Sequence, residues 1–130
     1  MVTEFQVTLE DKSGALAHLC MALGDAEVNI EAIHGSGGSG KGRVLFVGDD
    51  PGRARSALLE AGIAYTTREV IVVRVLDEPG MLGDVALVMS EAGINIDSVY
   101  VTTRGHVVLG VDDLAGAMQV AGGMAVVAPR

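Results

Sequence analysis

The chain repeats itself at a fixed offset, and this repeat limits the folds that it can adopt. Residues 11–16 (DKSGAL) and 77–82 (DEPGML) lie 66 positions apart, and the same offset aligns residues 26–30 (AEVNI) with 92–96 (AGINI) without a gap. Self-similarity over this length indicates two supersecondary units of one kind. A chain of 130 residues then holds two small units that gain stability by packing together. We expect domains at 1–67 and 68–130.

Hydrophobic periodicity predicts the same two elements at the start of each repeat. Before each aligned loop, apolar residues alternate at a period of two, which predicts a strand with one buried face. After each loop, they follow the i, i+3, i+4, i+7 spacing of a helix with one buried stripe. The strand residues are Phe5, Val7 and Leu9, and Ile71, Val73 and Val75; the stripes are Leu16, Leu19, Cys20 and Leu23, and Leu82, Val85, Ala86 and Met89.

A second helix is predicted later in each repeat. Residues 49–51 (DDP) mark a helix start, with the aspartates as caps and Pro51 in the first turn. The matching pair at 112–113 (DD) follows after 63 positions. The second repeat is therefore three residues shorter, and we place this loss in the Gly/Ser tract at 35–42.

Each half of the chain then reads β-α-β-β-α-β. We expect a short strand at 63–66, a strand at 70–76 with no Pro- or Ser-rich linker before it, and a last strand at 124–128. This order predicts an α+β fold of two ferredoxin-like βαββαβ repeats, with antiparallel sheets and helices on one face, packed together. The strand at 70–76 is apolar on both faces, so we expect both faces to be covered.

Composition excludes several classes of partner. A net charge of −8, two Phe, two Tyr and no Trp disfavour a nucleic-acid surface, which needs basic charge and stacking aromatics. The apolar runs are far shorter than the roughly 20 residues that cross a bilayer, and no secretory signal is visible. We expect a cytoplasmic protein without nucleic-acid or membrane partners. The single cysteine, Cys20, cannot form an internal disulfide.

The loop at 77–82 has the chemistry of a site for a small carboxylate. Gly80 allows a close turn and leaves the next amides uncovered, and Pro79 suits the first helical position. A helix N-terminus has unpaired N–H groups and the positive end of the helix dipole, so it can hold a carboxylate without Arg or Lys. The same Pro-Gly dipeptide could also simply start a helix, since it is an ordinary turn marker.

Residues 35–42 (GSGGSGKG) come close to a phosphate-binding motif. Gly35, Gly40 and Lys41 have the G-x-x-x-x-G-K spacing. However, Gly42 stands where Ser or Thr would bind Mg²⁺, and a strand follows where phosphate binding needs a helix. We interpret the tract as a flexible hairpin loop at the surface.

The sequence predicts no catalytic residues, no metal and no cofactor. His18, His34 and His106 form neither an H-E-x-x-H motif nor a Cys/His cluster, and G-x-S-x-G is absent. An acylphosphatase-type enzyme on the same fold would need an arginine in a strand-to-helix loop, where this chain is acidic. His34 and Tyr100 lie late in the second strands, where either could line a ligand pocket or lie at the surface.

The motif at 77–82, followed by residues 93–96 (GINI), resembles the signature of the ACT domain. This family is a small amino-acid-binding regulatory module of enzymes of amino-acid metabolism. The resemblance covers nearly the whole chain, as two copies with no catalytic domain attached. It implies a stand-alone tandem ACT protein that binds an amino-acid effector at the interface between ACT units. It also implies a homo-oligomer, most simply a dimer, and a partner enzyme of amino-acid metabolism.

The same resemblance implies ligand positions in each copy, in the loop of one unit and the second strand of its neighbour. In the second copy these are Asp77, Glu78, Pro79, Gly80, Met81, Leu82, Asn95 and Ile96. In the first copy they are Asp11, Ser13, Gly14, Ala15, Leu16, Asn29 and Ile30. We favour the second loop as the binding site because the first has Ser13 in place of the proline.

Two alternatives stay open at this point. Asn29 and Asn95 could be turn residues before a strand and not ligands for an ammonium group. The chain could also be an interaction or assembly subunit of an amino-acid metabolic enzyme, without a ligand of its own. Binding of a free amino acid distinguishes a sensor from such a subunit.

Overall fold

The computed structural model describes residues 2–126, which form two compact units. The first unit comprises Thr3–Arg68, and the second comprises the chain from Glu69 onward together with Val2. Each unit contains the β-α-β-β-α-β order that its repeat predicts. The predicted fold class is thereby confirmed as two ferredoxin-like repeats with antiparallel sheets.

Three strands and two helices follow one another in the first unit. The strands are β1 (Val2–Glu10), β2 (Ile30–Gly38) and β3 (Lys41–Gly48), and the helices are α1 (Ala15–Asp25) and α2 (Pro51–Glu60). Strand β3 lies between β1 and β2 and pairs antiparallel with both. Asp50 caps α2 as predicted, since its Oδ1 accepts a hydrogen bond of 3.1 Å from the Arg53 amide.

Strand β4 (Thr66–Val73) begins in the first unit and continues into the second. It is followed by α3 (Met81–Glu91), β5 (Ile96–Val101), β6 (Val107–Val111), α4 (Leu114–Ala121) and β7 (Ala125–Val126). Strand β6 pairs antiparallel with β5 and β4, and β4 pairs on its other edge with β7. Asp113 caps α4, with a hydrogen bond of 2.9 Å from the Gly116 amide to its Oδ1.

The register of the strands confirms the repeat pair by pair. Equivalent residues of the first and third strands lie opposite each other in both units, as Phe5–Phe46 and Val7–Val44 and as Ile71–Leu109 and Val73–Val107. Equivalent residues of the two units lie 66 positions apart in the first strands and 63 positions apart in the third strands. The three lost residues therefore lie in the connection between the second and third strands, as the sequence predicts.

Each unit has a hydrophobic core between its sheet and its two helices. The predicted helix stripes are buried at their centres, at Leu19, Leu23, Val85 and Met89. Four residues of these stripes differ from the prediction: Cys20 is half-buried, Ala86 is exposed, and Leu16 and Leu82 are 53% and 43% exposed. The two leucines are exposed because they lie in the first helical turn, beside an exposed loop.

Strand β4 is buried on both faces, as its apolar sequence predicts. Its last four residues, Val70 to Val73, are each at most 3% exposed. The sequence predicts that this strand extends to Leu76, but β4 ends at Val73 and Leu76 is 69% exposed. The covered segment is therefore shorter than predicted.

The Gly/Ser tract is mostly strand, where the sequence predicts a flexible loop. Strand β2 extends through Gly38 and β3 begins at Lys41, so Ser39 and Gly40 alone form the turn. Their φ angles are 54° and 78°, as in the two-residue type I′ turn whose twist matches that of antiparallel strands. The glycines in this tract thus allow a hairpin.

Several element boundaries also differ from the prediction. Helix α3 begins at Met81, so Pro79 is not its first residue. The fourth strand, expected at 63–66, begins only at Thr66 as the start of β4, which continues without a break past the expected junction. Of the strand expected at 124–128, β7 covers 125–126, and residues 127–128 lie outside the described residues.

A buried carboxylate in the first unit is paired with an arginine, which no sequence motif indicates. Glu4 is fully buried in β1, and its Oε1 accepts hydrogen bonds from Nε of Arg68 at 2.8 Å and from Nε2 of Gln6 at 3.0 Å. Nη2 of Arg43 donates in turn to Oε1 of Gln6 at 3.2 Å. A buried charge is strongly unfavourable without a partner, so this network is a structural requirement of the unit.

Replacing Arg68 with Met should lower the free energy of unfolding by about 3 kcal/mol, because it leaves the buried Glu4 carboxylate without this cation. The matched control is Arg43→Met, which removes an exposed arginine of the same network and should cost less than about 1 kcal/mol. Urea unfolding followed by circular dichroism measures both losses. Equal losses would contradict the central role of the Glu4–Arg68 pair.

Candidate functional site

The loop at 77–82 contains a type II turn that leads directly into α3. The Met81 amide donates a hydrogen bond of 3.2 Å to the Glu78 carbonyl, and Gly80 has φ 87° and ψ −11°. These are the angles of the third residue of a type II turn, where glycine is strongly favoured and where proline is common at the position before it. Pro79 and Gly80 are therefore the two central residues of this turn.

The first loop forms the same turn at the start of α1. The Ala15 amide donates to the Lys12 carbonyl at 3.3 Å, and Gly14 has φ 91° and ψ −15°. Ser13 occupies the position of the proline. The repeat thus keeps the backbone geometry although the proline is missing from the first copy.

Both turns leave main-chain donors unpaired at a helix N-terminus. Within residues 2–126, the amides of Leu82 and Gly83 in α3 have no acceptor, and no side chain caps the helix. The equivalent amides of Leu16 and Ala17 in α1 likewise have no acceptor in the described chain. Each helix start can therefore donate hydrogen bonds to the carboxylate of a ligand.

A cavity adjoins the turn in each unit. The first cavity, in the first unit, has a volume of about 620 Å³, and the second cavity, in the second unit, has a volume of about 340 Å³. Five residues that line the first cavity have their repeat equivalents in the lining of the second. They are Thr8, Leu9, Glu10, Ala15 and His18, which correspond to Arg74, Val75, Leu76, Met81 and Asp84. The two cavities therefore occupy the same place in the fold.

The first cavity is lined by more polar and charged side chains than the second. Among its lining residues, Nζ of Lys12 lies 2.8 Å from Oε2 of Glu10. The hydrogen bond from Lys12 and its positive charge lower the pKa of Glu10, and the same contact raises the pKa of Lys12. Both side chains stay charged across the neutral pH range, so each already neutralises the other.

The predicted asparagines are held through their main chains. The Asn29 amide donates to Oδ1 of Asp49 at 2.9 Å, and the Asn95 amide donates to Oδ1 of Asp112 at 3.0 Å. The first aspartate of each Asp-Asp pair thus holds the start of the second strand, while the other caps a helix. Neither asparagine lines the first or second cavity.

The structure brings part of the predicted site to the cavities. Ser13, Gly14 and Ala15 line the first cavity, and Met81 lines the second. Ile30 and Ile96 pack against the cores instead. The other predicted loop residues are exposed and line neither cavity; they are Asp11, Leu16, Asp77, Glu78, Pro79, Gly80 and Leu82.

Two further sequence candidates lie outside both cavities. Tyr100 is buried in β5, and His34 is exposed in β2.

Asp11 lies close to the hairpin of the first unit, because a Cβ placed on Gly37 would lie 2.7 Å from Oδ2 of Asp11. Its amide also donates to the Gly40 carbonyl at 3.1 Å. This contact holds the first loop against the hairpin of its own unit.

Residues that flank the turn line the second cavity, although the loop motif does not include them. Arg74 precedes the turn, Asp84 and Val88 follow it in α3, and Met124 comes from the segment after α4. The sequence does carry a signal for Arg74 and Asp84. The offset of 66 aligns them with Thr8 and His18, so the repeat shows that these two positions differ in charge between the copies. Met124 has no such signal, because the fold alone brings it to this place.

The described residues contain neither a side-chain cluster typical of a metal site nor a helix that could span a membrane. No group of three or more His, Cys, Asp or Glu side chains within residues 2–126 could hold a metal ion. No helix in this part of the chain combines the length and the apolar character needed to span a bilayer. Burial raises the pKa of the Cys20 thiol in α1, which lowers its reactivity at neutral pH.

The chain is similar to a known family and to several solved structures. Residues 1–120 match the family described as an ACT domain pair. A protein from Bacteroides thetaiotaomicron has a TM-score of 0.84 and 23% identity, over 92% of this chain and 85% of that chain. The ligand-free regulatory subunit of aspartate kinase from Thermus thermophilus has a TM-score of 0.69 and 16% identity, over 92% and 89%.

A third structure extends the same comparison. The regulatory subunit of aspartate kinase from Thermus flavus has a TM-score of 0.62 and 18% identity, over 93% of this chain and 92% of that chain. No curated protein matches the chain in sequence. At these identities the solved structures show a shared fold.

The substitution Ser13→Pro should stabilise the chain by about 0.4–1 kcal/mol, because proline fits this position of a type II turn and restricts the unfolded state. No hydrogen bond of the described residues is lost, since the Ser13 amide has no acceptor among them. The reciprocal change Pro79→Ser should lower stability by a similar amount. Thermal unfolding measures both, and a loss of stability in Ser13→Pro would show that the first turn cannot accept proline.

Proposed function

The chain belongs to the ACT domain pair family, and we propose that it is a non-catalytic regulatory protein that binds a free amino acid. The domains of this family are regulatory. Two structures that share the fold are, by name, regulatory subunits of aspartate kinase, which supports a role without chemistry of its own. The proposed ligand is an amino acid or a similar small carboxylate.

The observation that carries this proposal is the pair of equivalent turns. Each turn combines unpaired amides at a helix N-terminus with an adjoining cavity. Amides in this arrangement bind anions, because both their hydrogen-bond donors and the helix dipole favour negative charge. The two cavity volumes lie within the range of about 300–1,000 Å³ that small-molecule sites occupy.

We favour the second unit as the effector site. Its turn supplies the amides of Leu82 and Gly83 for the carboxylate, and the acidic side chains near the turn supply partners for the ammonium group. Contacts of Asn95 and Ile96 with the effector stay a prediction, as does the use of a neighbouring ACT unit to complete the site.

Regulation requires more than binding. An effector changes the activity of a partner only if it binds two states of the protein with different affinity. We propose that this chain acts as a homodimer in the cytoplasm and that amino-acid binding is coupled to a partner enzyme of amino-acid metabolism. A pull-down with and without effector tests this coupling.

A thermal-shift screen of the purified chain against the twenty amino acids tests the proposed function. A ligand at 100 times its dissociation constant should add roughly 2.7 kcal/mol to the free energy of unfolding, because it binds the folded state alone. We expect a clear rise in melting temperature with at least one amino acid. The absence of any rise at millimolar concentrations would favour the assembly-subunit alternative.

Gly80→Val should abolish amino-acid binding in the second unit. The φ of 87° forces valine into the left-handed region at a cost of about 1–2 kcal/mol, although its Cβ would meet no atom within 4 Å. Relaxation of this strain displaces the Leu82 and Gly83 amides. Calorimetric titration measures the affinity.

Gly14→Val is the matched control for this experiment. Gly14 has the same turn geometry, with φ 91° and no atom within 4 Å of an added Cβ. The control should lose a similar amount of stability and keep the affinity of the second site. Full affinity in Gly80→Val would refute the assignment of the ligand to this turn.

A further inference from the structure

The lining of the second cavity points to a specific class of ligand. We propose that this cavity binds an amino acid with an aliphatic side chain, with Arg74 joining the amides of Leu82 and Gly83 at its carboxylate and Asp84 facing its ammonium group. This inference rests on the proposed function and goes beyond it, because it names the ligand class and two specificity-determining residues. The first cavity does not share this specificity.

The walls of the second cavity are almost entirely apolar. Val75, Leu76, Met81, Val88 and Met124 line it, and the charged side chains there are those of Arg74 and Asp84. Leu76 and Val88 are 69% and 40% exposed, so an aliphatic ligand would remove apolar surface from water at this place. At about 340 Å³ the cavity is near the lower limit for small-molecule sites, which suits a single amino acid.

The two charged residues have the signs that a zwitterion requires. Within residues 2–126, neither the guanidinium of Arg74 nor the carboxylate of Asp84 takes part in a hydrogen bond or an ion pair. A guanidinium can bind a carboxylate through two parallel hydrogen bonds. A carboxylate accepts the N–H donors of an ammonium group. Both charges are therefore available to a ligand.

The first cavity offers a different environment at the same positions. Thr8 replaces the arginine and His18 replaces the aspartate, so the pair of opposite charges is missing. The first cavity does contain one pair of opposite charges, Glu10 and Lys12, but these form a salt bridge with each other, with Nζ of Lys12 2.8 Å from Oε2 of Glu10. The two cavities thus share a place in the fold and differ in what they can recognise.

Calorimetric titration of the full chain with L-leucine, L-aspartate and L-lysine tests the ligand class. We expect leucine to bind at least tenfold more tightly than either charged amino acid. Asp84→Asn should weaken leucine binding at least tenfold and leave 4-methylpentanoate, which lacks the ammonium group, almost unaffected. Glu91→Gln is the matched control, since it removes a carboxylate from the same helix outside the cavity, and it should bind leucine as the parent chain does.

Arg74→Gln provides the reciprocal test of the carboxylate partner. It should weaken leucine and 4-methylpentanoate alike, and it should leave 3-methylbutylamine, which lacks the carboxylate, almost unaffected. Preference for a charged amino acid would overturn this inference and leave the proposed function intact. Weaker leucine binding in His18→Asn but not in Asp84→Asn would also overturn this inference, because it would place the ligand in the first cavity, and it would leave the proposed function intact. Failure of every amino acid to bind would overturn both.

Discussion

A glycine held at positive φ determines where the candidate site of each unit lies. Gly14 and Gly80 have nearly identical backbone angles, and each forms a type II turn that joins the first strand to the first helix. The turn brings the end of the strand and the first turns of the helix to one side, where the cavity forms. It also places the unpaired amides of the helix at that side. The geometry of the site is thus a consequence of one backbone conformation.

The two copies show which parts of the repeat are physically constrained. The glycine of the turn, the strand register and the aspartates that cap the second helices are present in both copies, and each maintains a backbone arrangement of the unit. The side chains that line the cavities are not required for this backbone arrangement. The lining is more polar in the first unit and more apolar in the second, where Arg74 and Asp84 have no charged partner within residues 2–126. The same fold therefore presents two cavities of different chemistry.

Much of this structure is predictable from the sequence, since it depends on local rules. The offset of 66 predicts the order of elements, and the DDP and DD motifs predict the starts of α2 and α4. The composition of the Gly/Ser tract predicts a loop, whereas the tract is mostly strand, because composition alone does not distinguish a glycine-rich strand from a linker. The buried Glu4–Arg68 pair and the approach of Met124 to the second cavity arise from contacts distant in sequence, which no periodicity encodes.

Strand β4 joins the two units and so affects how the duplicated halves can be separated in evolution. The first unit ends at Arg68 and the second begins at Glu69, and both residues lie inside this one strand. A gene fragment that encoded either half alone would end within a strand and leave backbone donors and acceptors without partners, which favours aggregation. The first half would keep the arginine partner of its buried Glu4 only if the fragment extended to Arg68. Because the duplicated halves share this strand, a recombination event that separated them would cut β4 and expose its backbone groups.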